Sequence, residues 1–212
     1  MSKMTVRIVV LGAALAAGLV GTTAEIDEHP QSTAEHFLRE LYELRSGTAT
    51  FERVQDLARR YAGRSVGTCT RENCRFDIVV SNKSSYRLGL ARLKEFWATL
   101  RVEGDHLVRI DFGLVCFPSH IEEYPLGTGV SVSDQFCFPC FEGQRPFMAK
   151  QNGVDPGHPW QIVVELTGNS TPEQRRAAYA LDLGCLRELG GCPSPDKTAP
   201  AIWREIENRM LH

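Results

Sequence analysis

Seven cysteines carry the chemistry this chain could do: Cys69, Cys74, Cys116, Cys137, Cys140, Cys185 and Cys192. Six of them stand in three close pairs, and Cys116 stands alone. Cys137-Phe-Pro-Cys140 is the sharpest of the three. A C-x-x-C can run thiol–disulfide exchange when the first thiol's pKa is depressed, and a helix N-terminus is what usually depresses it. Phe141-Glu-Gly-Gln-Arg-Pro146 follows the motif and is poor helix sequence. A structural disulfide is therefore the first reading, with Cys116 as a competing partner, and a redox pair is the alternative. Cys69 and Cys74 flank the polar turn Thr70–Asn73 and read as a disulfide across a hairpin. Cys185–Cys192 would staple a helix end to its exit loop. Cys116 ends the inward register of a strand and reads as a buried free thiol.

Other chemistries find weaker support. Cys69, Cys74, Cys137 and Cys140 could form a four-thiolate zinc site, but an exporting cell would oxidise such thiols, so no metal and no cofactor is expected. Covalent haem needs C-x-x-C-H, and Phe141 stands at the histidine position. The six histidines form no H-E-x-x-H, and Asp155 and His158 read as a loop turn. Ser194-Pro-Asp-Lys197 matches S-x-x-K formally, but Pro195 makes it a loop. Arg59, Arg60 and Arg64 read as a solvated helix end rather than an anion site. Asn82-Lys-Ser84 and Asn169-Ser-Thr171 fit the glycosylation sequon, and turn and capping roles account for them without it.

The elements that must position these residues belong to one domain. The chain has 212 residues, 42% hydrophobic and 24% charged, enough for an ordinary core. Lys3 and Arg7 precede the apolar run Ile8–Gly21, and Thr22, Thr23 and Ala24 are small. That layout predicts a signal peptide over residues 1–24, a linker over 25–31 and a single disulfide-stapled domain over 32–212. Three cysteine pairs agree with an oxidising compartment. The protein is expected to be exported, periplasmic or secreted, with an uncleaved signal anchor as the minority alternative. Losing Lys3 and Arg7 would move the formal net charge from -2 to -4. That balance gives no reason to expect nucleic acid. No basic amphipathic helix suggests a membrane surface, so membrane contact is expected only through an uncleaved signal segment. Partners are otherwise unspecified.

Hydrophobic periodicity predicts an α+β fold with a mostly antiparallel sheet of about five or six strands, two N-terminal helices and two C-terminal helices. Ser32 with Glu35 predicts a capping box opening the first helix, and Gly47 its end. Thr50 opens the second, packed through Val54, Leu57 and Ala58. Phe76, Ile78 and Val80 alternate in one strand, Phe96, Ala98, Leu100 and Val102 in the next, and Val108, Ile110, Phe112, Leu114 and Cys116 in a third. Lys83–Lys94 is ambiguous between a short helix and an irregular crossing. Val130–Phe138 and Trp160–Leu166 read as strands, and Cys140–Pro159 as mostly loop. Thr171, Pro172 and Gln174 open a helix expected to run to about Leu189. A last helix begins near Pro200.

The C-terminal third carries a resemblance. Gln161-Ile-Val-Val-Glu-Leu, Ser170-Thr-Pro-Glu-Gln-Arg-Arg-Ala-Ala-Tyr, Asp182-Leu-Gly-Cys-Leu-Arg-Glu-Leu-Gly-Gly-Cys and Ala199-Pro before Trp203 resemble a group of uncharacterised exported proteins common in acidobacteria. The resemblance covers about a quarter of the chain and implies a bacterial exported protein. It carries no functional residue. The favoured function is a non-enzymatic envelope protein that binds a ligand or partner or is structural. The rival is a periplasmic thiol–disulfide oxidoreductase using Cys137 and Cys140.

Overall fold

The computed structural model describes residues 30–44, 48–117, 128–135, 147–152 and 160–210. The signal segment, most of the linker and the C-F-P-C motif lie outside these, as do Gly47, Asp155 and His158. The chain opens with α1 (residues 30–43) and α2 (Phe51–Arg60), then β1 (Arg64–Ser65), β2 (Asn73–Ser81) and α3 (Lys83–Arg87). β3 (Lys94–Glu103), β4 (His106–Cys116), β5 (Thr128–Gln135), β6 (Phe147–Asn152) and β7 (Gln161–Leu166) follow. α4 (Pro172–Tyr179), a 3-10 turn at Gly184–Leu186, α5 (Pro195–Thr198) and α6 (Pro200–Met210) close the described chain.

The fold is α+β. Six full strands and the two-residue β1 form one sheet in the order β1-β2-β3-β4-β5-β7-β6. Every pairing is antiparallel except β5 with β7, because β7 inserts between β5 and the edge strand β6. Inward residues alternate as a one-sided sheet requires. Phe76 and Ile78, Phe96, Ala98, Leu100 and Val102, Ile110, Phe112 and Leu114, Val130 and Val132, Ile162, Val164 and Leu166 are all buried in one core. That core also takes Phe37 and Leu41 of α1, Val54 and Leu57 of α2, Ala178 of α4, and Ile202 and Ile206 of α6.

Several local expectations give way to packing. Ser32 sits inside the first turn of α1, which begins at residue 30. β4 buries Leu107 rather than Val108, because the β3–β4 register shifts between Arg101 and Val102. That bulge turns the strand by one residue, and the two-residue Gly104-Asp105 loop, both at positive φ, closes the hairpin. β6 occupies part of the stretch expected to be loop. Among the described residues it pairs only with β7, and Phe-Met-Ala-Lys-Gln-Asn carries no strict apolar alternation to announce it. α4 has the predicted capping box of Thr171 and Gln174 but stops at Tyr179, not Leu189. Ala180 leaves helical geometry, Asp182 donates its N–H to Thr198, and Gly184 donates to the Asp182 carboxylate (2.8 Å), so the chain turns instead. Leu189, expected on an apolar helix face, is exposed. The stretch after Ser194 is the short helix α5 rather than loop, because Pro195 takes its first position. Ser194 and Lys197 are both exposed.

Candidate functional site

Two of the expected disulfides are present. Cys69–Cys74 has its Cα atoms 4.5 Å apart and Cys185–Cys192 5.0 Å apart, both within the usual span. Between Cys69 and Cys74 the turn closes through Thr70 N–H to the Asn73 carbonyl (3.1 Å) and Asn73 N–H to the Thr70 hydroxyl (3.2 Å). The Cys69–Cys74 bond also removes two of the four thiolates that a zinc site would need. Among the described residues no group of three or more His, Cys, Asp or Glu could hold a metal ion. Cys116 is buried and, among the described residues, unpaired. Its relation to Cys137 and Cys140 lies outside the described residues.

The arginine cluster does not assemble as an anion site. Arg60 pairs with Glu40 of α1 at 2.6 Å, while Arg59 reaches Gln55 and Asp56 on its own helix. Glu40 also accepts from the Tyr61 hydroxyl (3.1 Å), and His36 Nδ1 lies 2.9 Å from it. Burial, then the Glu40 carboxylate, pushes the Tyr61 hydroxyl up to about 12. The group ties α1 to α2.

Among the described residues two charged groups are buried, Asp134 and Lys94, and neither stands out in the sequence. Asp134 follows Val130 and Val132 on the inward register of β5. Arg175 of α4 forms an ion pair with one of its oxygens, and the Tyr179 hydroxyl donates to the other at 3.2 Å. Arg175 also donates to the Thr167 carbonyl at 2.7 Å. Burial raises the Asp134 pKa against the opposing pull of Arg175 and Tyr179. Burial, reinforced by Asp134, holds the Tyr179 hydroxyl well above its ordinary value. Lys94 is fully buried on the inward register of β3, and its ammonium donates to the Glu188 carbonyl. Asn82 fixes the strand beside it, accepting from Lys94 N–H and donating to the Arg92 carbonyl, each at 2.8 Å.

The Asp134 group stands behind a cleft. Tyr179, anchored to Asp134 at its hydroxyl, packs its ring on Phe112 at 4.4 Å and meets Tyr42 of α1 edge-on at 5.3 Å. Glu35, Leu38, Arg39 and Tyr42 of α1 recur at three and four and so share one helix face. They face Arg176, Tyr179, Ala180 and Leu181 across an open cleft of about 430 Å³. That volume lies in the range of small-molecule sites. Gln31 donates to Glu35 (2.7 Å) and Arg176 pairs with Glu173 (2.7 Å), while no carboxylate among the described residues pairs with Arg39. The cleft thus offers an aromatic corner, an aliphatic floor and, among the described residues, one cation without a counter-ion.

The geometry defines an α+β domain with helices on one face of its sheet and a cleft between its first and fourth helices. No family model, no curated protein and no solved structure matches the chain. Its chemistry must be argued from its own residues.

Proposed function

We propose that the chain is an exported, disulfide-stapled binding domain, and that the α1–α4 cleft takes a small amphipathic monoanion with a planar apolar body. One observation carries the binding role: Tyr179 is held from behind by Asp134 and Phe112, so the cleft wall is set before a ligand arrives. Preorganisation of this kind lowers the cost of binding. A ring placed on Tyr42 would complete the corner that Tyr42 and Tyr179 begin. Arg39 supplies the cation, and Glu35 on the same face disfavours a second negative charge on the ligand. Export is supported by the two short-range disulfides, which a reducing compartment would not keep. The charged start and apolar run of residues 1–24 and the acidobacterial resemblance support it further.

Two measurements test the reading separately. Titration with 1-naphthoate, followed by calorimetry, should show saturable binding that weakens about fivefold in Arg39→Gln, the value of one partly solvated ion pair. Tyr42→Ala should weaken it further by removing the ring face. Binding that ignores both substitutions overturns the cleft. Non-reducing peptide mapping of protein from the exported fraction should show a chain starting at about Glu25 with Cys69–Cys74 and Cys185–Cys192 linked. Recovery of the chain only in the cytoplasm, with these thiols free, overturns export and leaves the cleft result standing.

A further inference from the structure

The stretch between β2 and β3 is unlike the rest of the surface. Asn82 and Ser85 are buried and anchor it. Tyr86, Leu88 and Leu90 then point outward at 42%, 55% and 48% exposure. A soluble surface tolerates single exposed apolar residues, but three in five residues form a patch that calls for a partner. Leu189, at 61% exposure, lies in the loop whose neighbouring residues touch the end of this stretch. Lys94 bonds the Glu188 carbonyl next to it, and the Arg92 guanidinium lies against Gly191.

The charge along the Asn82–Lys94 stretch has one sign. From Asn82 to Lys94 the chain carries Lys83, Arg87, Arg92 and Lys94 and no acidic residue. Lys83, Arg87 and Arg92 are exposed, and among the described residues no carboxylate pairs with them. Glu95 and Glu188 are the flanking carboxylates, and Arg187 stands beside the second. Several exposed cations elsewhere are paired: Arg75 with Asp77, Arg101 with Glu103, Arg109 with Asp111, Arg71 with Glu52. The patch therefore combines leucines that gain from leaving water with cations that gain from nearby negative charge. Tyr86 adds an amphipathic ring of the kind that sits at headgroup level.

We propose that the segment Lys83–Arg92, together with Leu189, docks this protein on an anionic lipid surface. Leu88, Leu90 and Leu189 enter the headgroup–acyl boundary, and Lys83, Arg87 and Arg92 face the lipid phosphates. The two contributions are of the kinds that hold peripheral proteins to bilayers: apolar area, and about 1 kcal/mol per basic residue near an anionic surface. Among the described residues no helix is long and apolar enough to cross a membrane. The inference does not depend on the cleft. The signature is weak in the sequence because the basic residues flank a five-residue helix and a turn, not a long amphipathic helix.

The test is co-flotation of the full exported chain with vesicles, its N-terminus defined by mass spectrometry and identical in every variant. Vesicles of equimolar phosphatidylcholine and phosphatidylglycerol should carry the protein at low salt, and vesicles of phosphatidylcholine alone should not. Leu88→Ser/Leu90→Ser should lower the vesicle affinity about tenfold, the worth of two half-buried leucines. Arg87→Gln/Arg92→Gln should lower it about thirtyfold, at about 1 kcal/mol per basic residue, and flatten the salt dependence. Arg53→Gln/Arg59→Gln on the exposed side of α2 should leave it unchanged. All substituted side chains are exposed, so circular dichroism should report an intact fold. Absence of flotation with anionic vesicles overturns the proposal, as does flotation indifferent to both double substitutions. A concentration-dependent dimer abolished by the leucine pair, without vesicle binding, would assign the patch to a second copy and equally overturn it.

Discussion

Asp134 and Lys94 are both buried charges on the helix-covered face of one sheet, and the partners described for them are of different kinds. Asp134 meets a full opposite charge on Arg175 and a hydroxyl on Tyr179, both side chains of α4. Lys94 meets the Glu188 carbonyl, a backbone dipole in the loop between Cys185 and Cys192. In the first case the partner is placed by a capped helix. In the second it is placed by a covalent staple. A side-chain ion pair fails when either member is deleted, because the survivor is left buried and charged. A charge met by a carbonyl is more forgiving of its own removal, since the carbonyl that remains is neutral.

The largest effect should therefore come from Arg175. Arg175→Ala leaves Asp134 in the core without its cation, and the Thr167 carbonyl without this donor. A loss of about 3–5 kcal/mol in urea unfolding is expected for breaking such a pair. A loss below about 1 kcal/mol would mean that Tyr179 alone satisfies the carboxylate, and the contrast between the two charges would collapse.

Next in size is the staple. Cys185→Ser/Cys192→Ser opens a short loop, and chain-entropy reasoning gives a loss of about 2–3 kcal/mol. The same treatment of the still shorter Cys69–Cys74 loop gives about 2 kcal/mol. Lys94 supplies the discriminating measurement. If the staple positions the Glu188 carbonyl, losing it should cost more in the wild-type background than in Lys94→Met. Equal losses in the two backgrounds would show that the staple and Lys94 act independently.

How much of this contrast is legible in the sequence depends on the kind of signal each residue leaves. Strand alternation exposes the sheet's inward register almost everywhere, and both charges sit on it: Asp134 two residues after Val132, Lys94 two before Phe96. A polar residue at an inward position is itself a signal, but strand ends are usually solvated, and that weakens it. Their partners leave none. Arg175 lies 41 residues from Asp134 and Glu188 94 from Lys94, and no local pattern encodes a pairing at such separations. Tyr179 falls inside a pattern that reads as one helix continuing to Leu189. That longer pattern hides the break at Ala180, which is made by the Thr198 and Asp182 contacts rather than by a proline or glycine. The two disulfides are legible because their cysteines are near in sequence. The cleft is not, since all the strands of the sheet lie between α1 and α4 in the chain.

Titration sharpens the Asp134 side. Burial is the largest influence there and raises the carboxyl's pKa in the folded state, with Arg175 and Tyr179 opposing. The folded protein then holds this proton to a higher pH than the unfolded chain does. The associated stability is full below the ordinary carboxylate range and is lost as pH rises through the folded value. Wild type should therefore gain stability relative to Asp134→Asn when the medium is acidified from neutral into the carboxylate range. The slope can reach at most about 1.4 kcal/mol for each step of one in pH, the limit set by a single proton. Urea unfolding of both proteins across that interval measures it. The opposite slope would show that Arg175 outweighs burial and that the pair is ionised well into acid.

The smallest effect is expected at Lys94, and it is the most informative about the comparison. Lys94→Met keeps most of the side chain's length and removes a charge whose burial is costly. The main loss is the charge-assisted bond to the Glu188 carbonyl, worth about 1.5–3 kcal/mol. What is gained is relief from desolvation, of similar size for a fully buried ammonium. The two should nearly cancel, leaving stability within about 1 kcal/mol of wild type. The carbonyl left behind is neutral and sits in a loop beside exposed Leu189. A loss as large as that of Arg175→Ala would instead mean that Lys94 is bound as tightly as an ion pair. The two buried charges would then be alike despite their different partners, and the staple at Cys185–Cys192 would matter chiefly through the lysine it receives.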